Sequence, residues 1–233
     1  MISPAWYRLR GAIFGLIFAL GFFGGWAASA LMHAEYVPAV VAIGSHLGAR
    51  GVAWTTALAL ICMIAAYGLR VWGSSYLRSR IVWNADAVTD VLIDAGPFRY
   101  TRHPLYLGNA LIALGLGSLA PLPGWIFIVA ADLIFSYALI RWEEHAMQVR
   151  FGRIFESYRA RVPALVPRLF PARASTQIRA SFPEGLRAEI FTVCLFLGMI
   201  GLLVLPSYGL LTFIVLFILG TMLQRHVDRL ASP

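Results

Sequence analysis

Long apolar runs separated by short arginine-rich stretches organise this chain. Residues 11–32, 51–72, 104–120, 124–141, 188–205 and 208–224 are overwhelmingly apolar and nearly free of charge. Each is close to the roughly 17–25 residues with which an α-helix crosses a bilayer core. Pro121-Leu122-Pro123-Gly124 divides the longest of these stretches, because proline ends a helix and glycine permits a tight return. The pattern therefore predicts a helical hairpin at the centre of the chain, and a second one turning at Pro206-Ser207-Tyr208-Gly209. Residues 33–50 read as a connection with a short interfacial helix around Val37–Leu47, and 142–187 as a cytosolic or interfacial segment. Ala28-Ser29-Ala30 imitates a signal-peptidase site. The apolar run before it is too long for a signal sequence, however, so the expectation is an uncleaved first helix. The fold class that follows is all-α: residues 1–233 as one polytopic membrane domain of about six transmembrane helices.

Composition supports this pattern and narrows the partners. Of 233 residues, 60% are hydrophobic and 13% charged, which excludes an ordinary soluble domain. All 19 basic residues are arginine and the net charge is +8. Nucleic acid is not the partner this charge implies: the arginines border apolar runs, where anionic headgroups lie. With six spans, 18 of the 19 arginines fall on the side shared by both termini, and only Arg50 falls opposite. This asymmetry places the termini, and the Arg102 and Arg141 regions, in the cytoplasm of a bacterial inner-membrane protein. Cys62 and Cys194 sit inside apolar runs without ligand spacing, so neither a disulfide nor a metal site is expected. Gly11/Gly15 and Gly21/Gly25 have the spacing of close helix contacts.

The chemistry-bearing residues gather where the polar segment re-enters the membrane, at Gly96-Pro97-Phe98-Arg99-Tyr100-Thr101-Arg102-His103-Pro104-Leu105-Tyr106-Leu107-Gly108. Pro104 suits a helix's first turn, leaving Arg102 and His103 beside unsatisfied N–H groups and the positive dipole end. Such a place seats a carboxylate or phosphate; it equally suits an ordinary membrane-flanking arginine and an interfacial cap. An antiparallel hairpin puts residues equidistant from its turn at one depth. Arg102 is then level with Glu143, and His103 is close to Trp142 and Glu144, as a functional cluster or as a salt bridge closing the hairpin. Deeper in the same arm, Asp132, Ser136 and Glu143 share a helix face, with Asn109 level with Ser136. A charge at that depth costs about 2.5–3.5 kcal/mol on insertion scales, so Asp132 marks either a function or an interhelical polar contact. Beyond Phe151-Gly152, a helix carrying Tyr158, Arg159 and Arg161 either folds over the cytosolic mouth or lies on anionic lipid.

The run GPFRYTRHPLYLGN, followed by Glu143-Glu144, Phe151-Gly152, Tyr158 and an RVPxxxP element, resembles the isoprenylcysteine carboxyl methyltransferase and phospholipid methyltransferase superfamily over about residues 70–170. That resemblance implies an integral membrane enzyme using S-adenosylmethionine, with a cytosolic pocket at the hairpin ends. By the same resemblance Arg102, His103, Pro104, Tyr106 and Leu107 belong to the cofactor element, joined by Glu144 and Tyr158. Glu143, Glu144 and Arg161 are then the catalytic candidates. The methionyl carboxylate would rest on Arg102 or the helix N-terminus, and the ring of Tyr106 would face the sulfonium. Phe155 stands where the family commonly has tyrosine, and the hairpin after Ala188 lies outside the resemblance. The implied acceptor is a lipid or prenylated molecule, with carboxyl methylation preferred. Phospholipid N-methylation, a sterol-type membrane reductase and a non-catalytic transporter or scaffold are the alternatives.

Overall fold

The structure, a computed structural model, describes residues 4–33, 35–77, 91–172, 178–205 and 207–231. Residues 78–90, whose Arg78, Arg80, Asp86 and Asp90 mark a cytosolic stretch by sequence, lie outside the described residues, as does Pro206 of the second turn. Among the described residues the regular elements are helices: α1 (Ala5–Arg8), α2 (Arg10–Leu31), α3 (Ala39–Ser45), α4 (Gly51–Leu77), α5 (Pro104–Gly115), α6 (Leu122–Phe151), α7 (Arg153–Arg161), α8 (Phe182–Ala188), α9 (Ile190–Val204) and α10 (Gly209–Ala231). Single 3-10 turns occupy Gly96–Arg99 and Leu116–Leu119.

The all-α membrane class holds, and the spans are less uniform than the hydropathy pattern predicts. Among the described residues, four helices are long and apolar enough to cross a membrane: α2, α4, α6 and α10. The expected 188–205 span is instead a bent pair, α8 and α9, meeting at 61°. The expected 104–120 span is shorter still. Pro104 fixes its start, the chain tightens into a 3-10 turn at Leu116–Leu119, and Pro121 follows. Twelve α-helical residues rise only about 18 Å against a hydrocarbon core of roughly 30 Å. Elsewhere helices outrun the apolar runs. Nothing between Trp142 and Phe151 breaks a helix, so α6 carries on to Gly152 rather than ending at 141, and α4 continues to Leu77 rather than 72.

The chain divides into two compact units. In the unit formed by Ser3–Ala66 and Gly108–Leu139, Ile17, Ala113, Ala120 and Ile128 form a core. Helices α2 and α6 approach so closely that a Cβ on Gly124 would lie 2.2 Å from the Gly21 carbonyl oxygen, and one on Gly25 would lie 2.8 Å from Pro121. The Gly21/Gly25 spacing thus serves packing within the chain. Asp132 and Ser136 are buried here on one face of α6. Around the hairpin turn, the Ala39 N–H donates to the Ala120 carbonyl at 2.8 Å and the Tyr36 hydroxyl to that of Leu119 at 2.9 Å.

The other unit comprises Tyr67–Leu107 and Ile140–Pro233 with the two terminal residues Met1–Ile2. Its C-terminal hairpin packs α9 on α10 through small residues: a Cβ on Gly198 would lie 2.7 Å from Phe213, and one on Gly220 would lie 2.7 Å from Cys194. The bend between α8 and α9 falls at Glu189, whose carboxylate is fully buried against α4. It accepts from Arg70 Nε at 2.7 Å and Nη2 at 3.2 Å, from Ser74 Oγ at 2.8 Å and from Thr192 Oγ1 at 2.7 Å. Bidentate pairing with both hydroxyls in place satisfies a charge that is costly to desolvate.

Candidate active site

The site is built where residues 96–103 lead into α5. Gly96 adopts φ +58°, a conformation open to glycine, with the Tyr76 ring where a side chain would stand. After the 3-10 turn the backbone runs extended, and its hydrogen bonds go to the segment that follows α7. The N–H groups of Arg102 and His103 donate to the carbonyls of Pro163 and Ala164 at 2.9 and 3.1 Å, and Thr101 Oγ1 donates to the Ala164 carbonyl at 2.8 Å. Further along, the N–H groups of Arg168 and Ala172 donate to the carbonyls of Tyr100 and Arg99 at 3.0 and 2.9 Å. Residues 162–172 therefore form a strap laced along the arginine–histidine stretch. Prolines at 163, 167 and 171 keep the strap out of a helix, and it bends repeatedly along its course.

Gly152 sets the strap's course. With φ +50° it ends α6 and starts α7 in a new direction. Phe155 and Tyr158 on α7 then pack with Leu92, Val162 and Ala172. The buried Tyr158 hydroxyl donates to the Phe98 carbonyl at 2.7 Å, and burial pushes its pKa well above the ordinary value. Tyr158 is thus a strut under the motif, and the apolar Phe155 fits the same core without needing a hydroxyl.

The two charged elements meet on this scaffold. Arg102 donates from Nε and Nη2 to Glu144 Oε1 at 2.8 and 2.6 Å, and from Nη1 to the carbonyls of Arg159, at 3.2 Å, and Val162. His103 lies between both glutamates, with Nε2 3.2 Å from Glu144 Oε1 and Nδ1 3.4 Å from Glu143 Oε2. The Tyr106 hydroxyl donates to Glu143 Oε1 at 2.5 Å, and its ring lies 5.8 Å from the imidazole, centroid to centroid. Burial alone would disfavour the imidazolium; hydrogen bonds to Glu143 and Glu144, and their charges, outweigh it and raise the His103 pKa above its ordinary value. The result is a nearly closed salt-bridged cluster, with the Glu144 side chain buried, Glu143 21% exposed, and Arg159 52% exposed and 3.7 Å from Glu144 Oε2.

Arg102, His103, Tyr106, Glu143 and Glu144 thus come together as the sequence pattern anticipates, with a shifted register: Arg102 bonds Glu144 rather than Glu143. Pro104 is fully buried at the start of α5, and the Leu107 N–H closes the first turn on the His103 carbonyl at 3.2 Å. Arg161 is at the exposed end of α7, its Nε donating to the Ser157 carbonyl at 3.0 Å. Arg159 and the buried Asp94 were not singled out as site residues. Arg159 was legible only as one arginine among many, and Asp94 stands two residues ahead of Gly96, just outside the motif.

Comparison with known proteins bears directly on this cluster. Residues 54–154 match the phospholipid methyltransferase family. The match covers the Arg102–Leu107 stretch and both glutamates, and ends before Tyr158 and Arg161. Methanethiol S-methyltransferase 2 of Bradyrhizobium diazoefficiens is 31% identical over 88 residues, 38% of this chain and 33% of that protein. Nickel-cobalt-cadmium resistance protein NccN of Alcaligenes xylosoxydans xylosoxydans is 31% identical over 134 residues, 56% of this chain and 57% of that protein. Cobalt-zinc-cadmium resistance protein CzcN of Cupriavidus metallidurans is 33% identical over 101 residues, 43% of each chain. The chain thus spans little more than half, or less, of these relatives' lengths. No solved structure matches the chain.

The donor set fits S-adenosylmethionine, the methyl donor that a match to a methyltransferase family suggests. The amino-acid end of that molecule carries a carboxylate and an ammonium, and the cluster's more exposed charges, Arg159 at 52% and Glu143 at 21%, are a cation and an anion. Arg102 does not offer the same, because its guanidinium is already committed to Glu144 and two carbonyls.

Proposed function

We propose that this chain is a membrane-embedded, S-adenosylmethionine-dependent methyltransferase acting on a lipid or lipid-linked acceptor at the cytoplasmic face of a bacterial inner membrane. The observation that carries this reading is the joining of Arg102-His103 and Glu143-Glu144 into one buried cluster inside the stretch that matches the phospholipid methyltransferase family. When bound, the donor supplies an electrophilic methyl group on a sulfonium. Glu143 and Arg159 hold its amino-acid end, the Tyr106 ring offers a π face to the positive sulfur, and Arg102 positions Glu144 and the strap. Each residue acts by binding, orienting and excluding water; none forms a bond to the methyl group.

The same geometry favours an acceptor that arrives already anionic. A protonated amine must first lose its proton to a base. Glu144 is paired with Arg102 and His103, and Glu143 with Tyr106 and His103, so neither carboxylate is an idle base. A carboxylate of the isoprenylcysteine type needs no deprotonation, and the thiolate of a thiol acceptor, the class named for the Bradyrhizobium relative, meets the same condition. Purified protein in lipid nanodiscs, given methyl-labelled donor, should label a prenylated cysteine carboxylate or an apolar thiol in preference to phosphatidylethanolamine. Preferential labelling of phosphatidylethanolamine would reverse the acceptor assignment, and absence of transfer to all three together with absence of donor binding would defeat the methyltransferase reading.

A further inference from the structure

The inner edge of the strap holds the arginine–histidine stretch in place; its outer edge is apolar and uncovered. Val166, Leu169 and Phe170 are 76%, 91% and 77% exposed, and every residue from Val166 to Pro171 faces outward. Three large apolar side chains within five residues are an unusual feature on a polar loop. Exposed arginines stand in the same stretch of chain: Arg168 within the strap, and Arg153, Arg159 and Arg161 on α7 just before it. The Arg168 guanidinium donates to the Arg161 carbonyl at 2.6 Å, tying the strap to the end of α7. Glu156 is the exposed acid on that helix, and it accepts from Gln148 Nε2 at 2.8 Å. The strap is bonded to residues 99–103, and these end at Pro104, where an apolar helix begins. It therefore lies beside a point of membrane entry.

We propose that residues 166–170 are a membrane-docking element: Val166, Leu169 and Phe170 enter the acyl boundary of the bilayer while Arg153, Arg161 and Arg168 take anionic phosphate headgroups. Apolar side chains flanked by cations are the chemistry of interfacial binding to anionic lipid. A second protein surface of the same kind would have to supply acidic groups as well. The consequence reaches the site, because the strap's other edge accepts the Arg102 and His103 N–H groups. Lipid engagement at Phe170 and the placement of His103 then belong to two edges of one segment. This holds whatever reaction the cluster serves.

The test is a nitroxide label at Phe170→Cys, with Cys62→Ala and Cys194→Ala, compared with one at the exposed Ser157→Cys. Both are reconstituted in nanodiscs of phosphatidylcholine, with and without phosphatidylglycerol. Power saturation should show the Phe170 label accessible to oxygen and shielded from a water-soluble nickel chelate, more so with phosphatidylglycerol, while the Ser157 label stays accessible to nickel. A Phe170 label open to nickel in both lipids would overturn the proposal. Equal shielding in both would overturn its headgroup component. Spin–spin broadening that disappears on dilution with unlabelled protein would show a second copy on this surface instead.

Discussion

At the residue scale the account turns on His103, an imidazole between two carboxylates. Its raised pKa has a sign that can be checked. A group whose folded pKa lies above its unfolded value stabilises the fold fully below about pH 6.5, and that contribution is lost as pH rises through the higher folded value. The melting temperature of the wild type should therefore exceed that of His103→Gln by most at acidic pH, with the gap narrowing as the solution turns alkaline. A gap that is constant, or that widens with pH, would mean the glutamates do not hold the imidazolium. The residues also show how much of the site was legible. Arg102-His103-Pro104 and Glu143-Glu144 are readable because charge at a membrane boundary is rare and a hairpin fixes depth. The pairing of Arg102 with Glu144 is not, because depth leaves a neighbouring residue within reach of a long side chain. The bond between Arg70 and Glu189 is not legible either: nothing in a linear pattern joins an arginine within α4 to a glutamate 119 residues later.

At the scale of elements, Gly152 and the strap decide whether the charged pairs can form. Gly152 has φ +50° and open space where a Cβ would stand, so Gly152→Ala tests backbone conformation alone. A non-glycine residue held there costs on the order of 1–3 kcal/mol. We expect a lowered melting temperature and weaker S-adenosylhomocysteine binding, since the kink aims α7, Arg159 and the strap. Unchanged values for both would show that α7 finds its place without the kink. The sequence announces the break through Phe151-Gly152, yet the strap's lacing is invisible in it. On the strap's own side the bonds are made by backbone N–H and carbonyl groups, which carry no side-chain signature beyond the prolines that keep it out of a helix.

For the whole molecule, apolar runs predict membrane helices well and their uniformity poorly. Among the described residues four helices have the length to cross, or five if the pair bent at a buried glutamate is counted as one span, and Pro104–Gly115 is too short for an ordinary span. Each departure lies beside a polar feature: Glu189 at the bend, and the His103 cluster at the start of the short helix. The function proposed for the molecule rests on that cluster holding a methyl donor, and calorimetry with S-adenosylhomocysteine tests it most directly. The wild type should bind, and Arg159→Ala should bind on the order of 10- to 150-fold more weakly, the loss of roughly 1.5–3 kcal/mol for a charged hydrogen bond, while still melting cooperatively in the same preparation. No binding to the wild type, or equal affinity in a folded Arg159→Ala variant, would contradict the account.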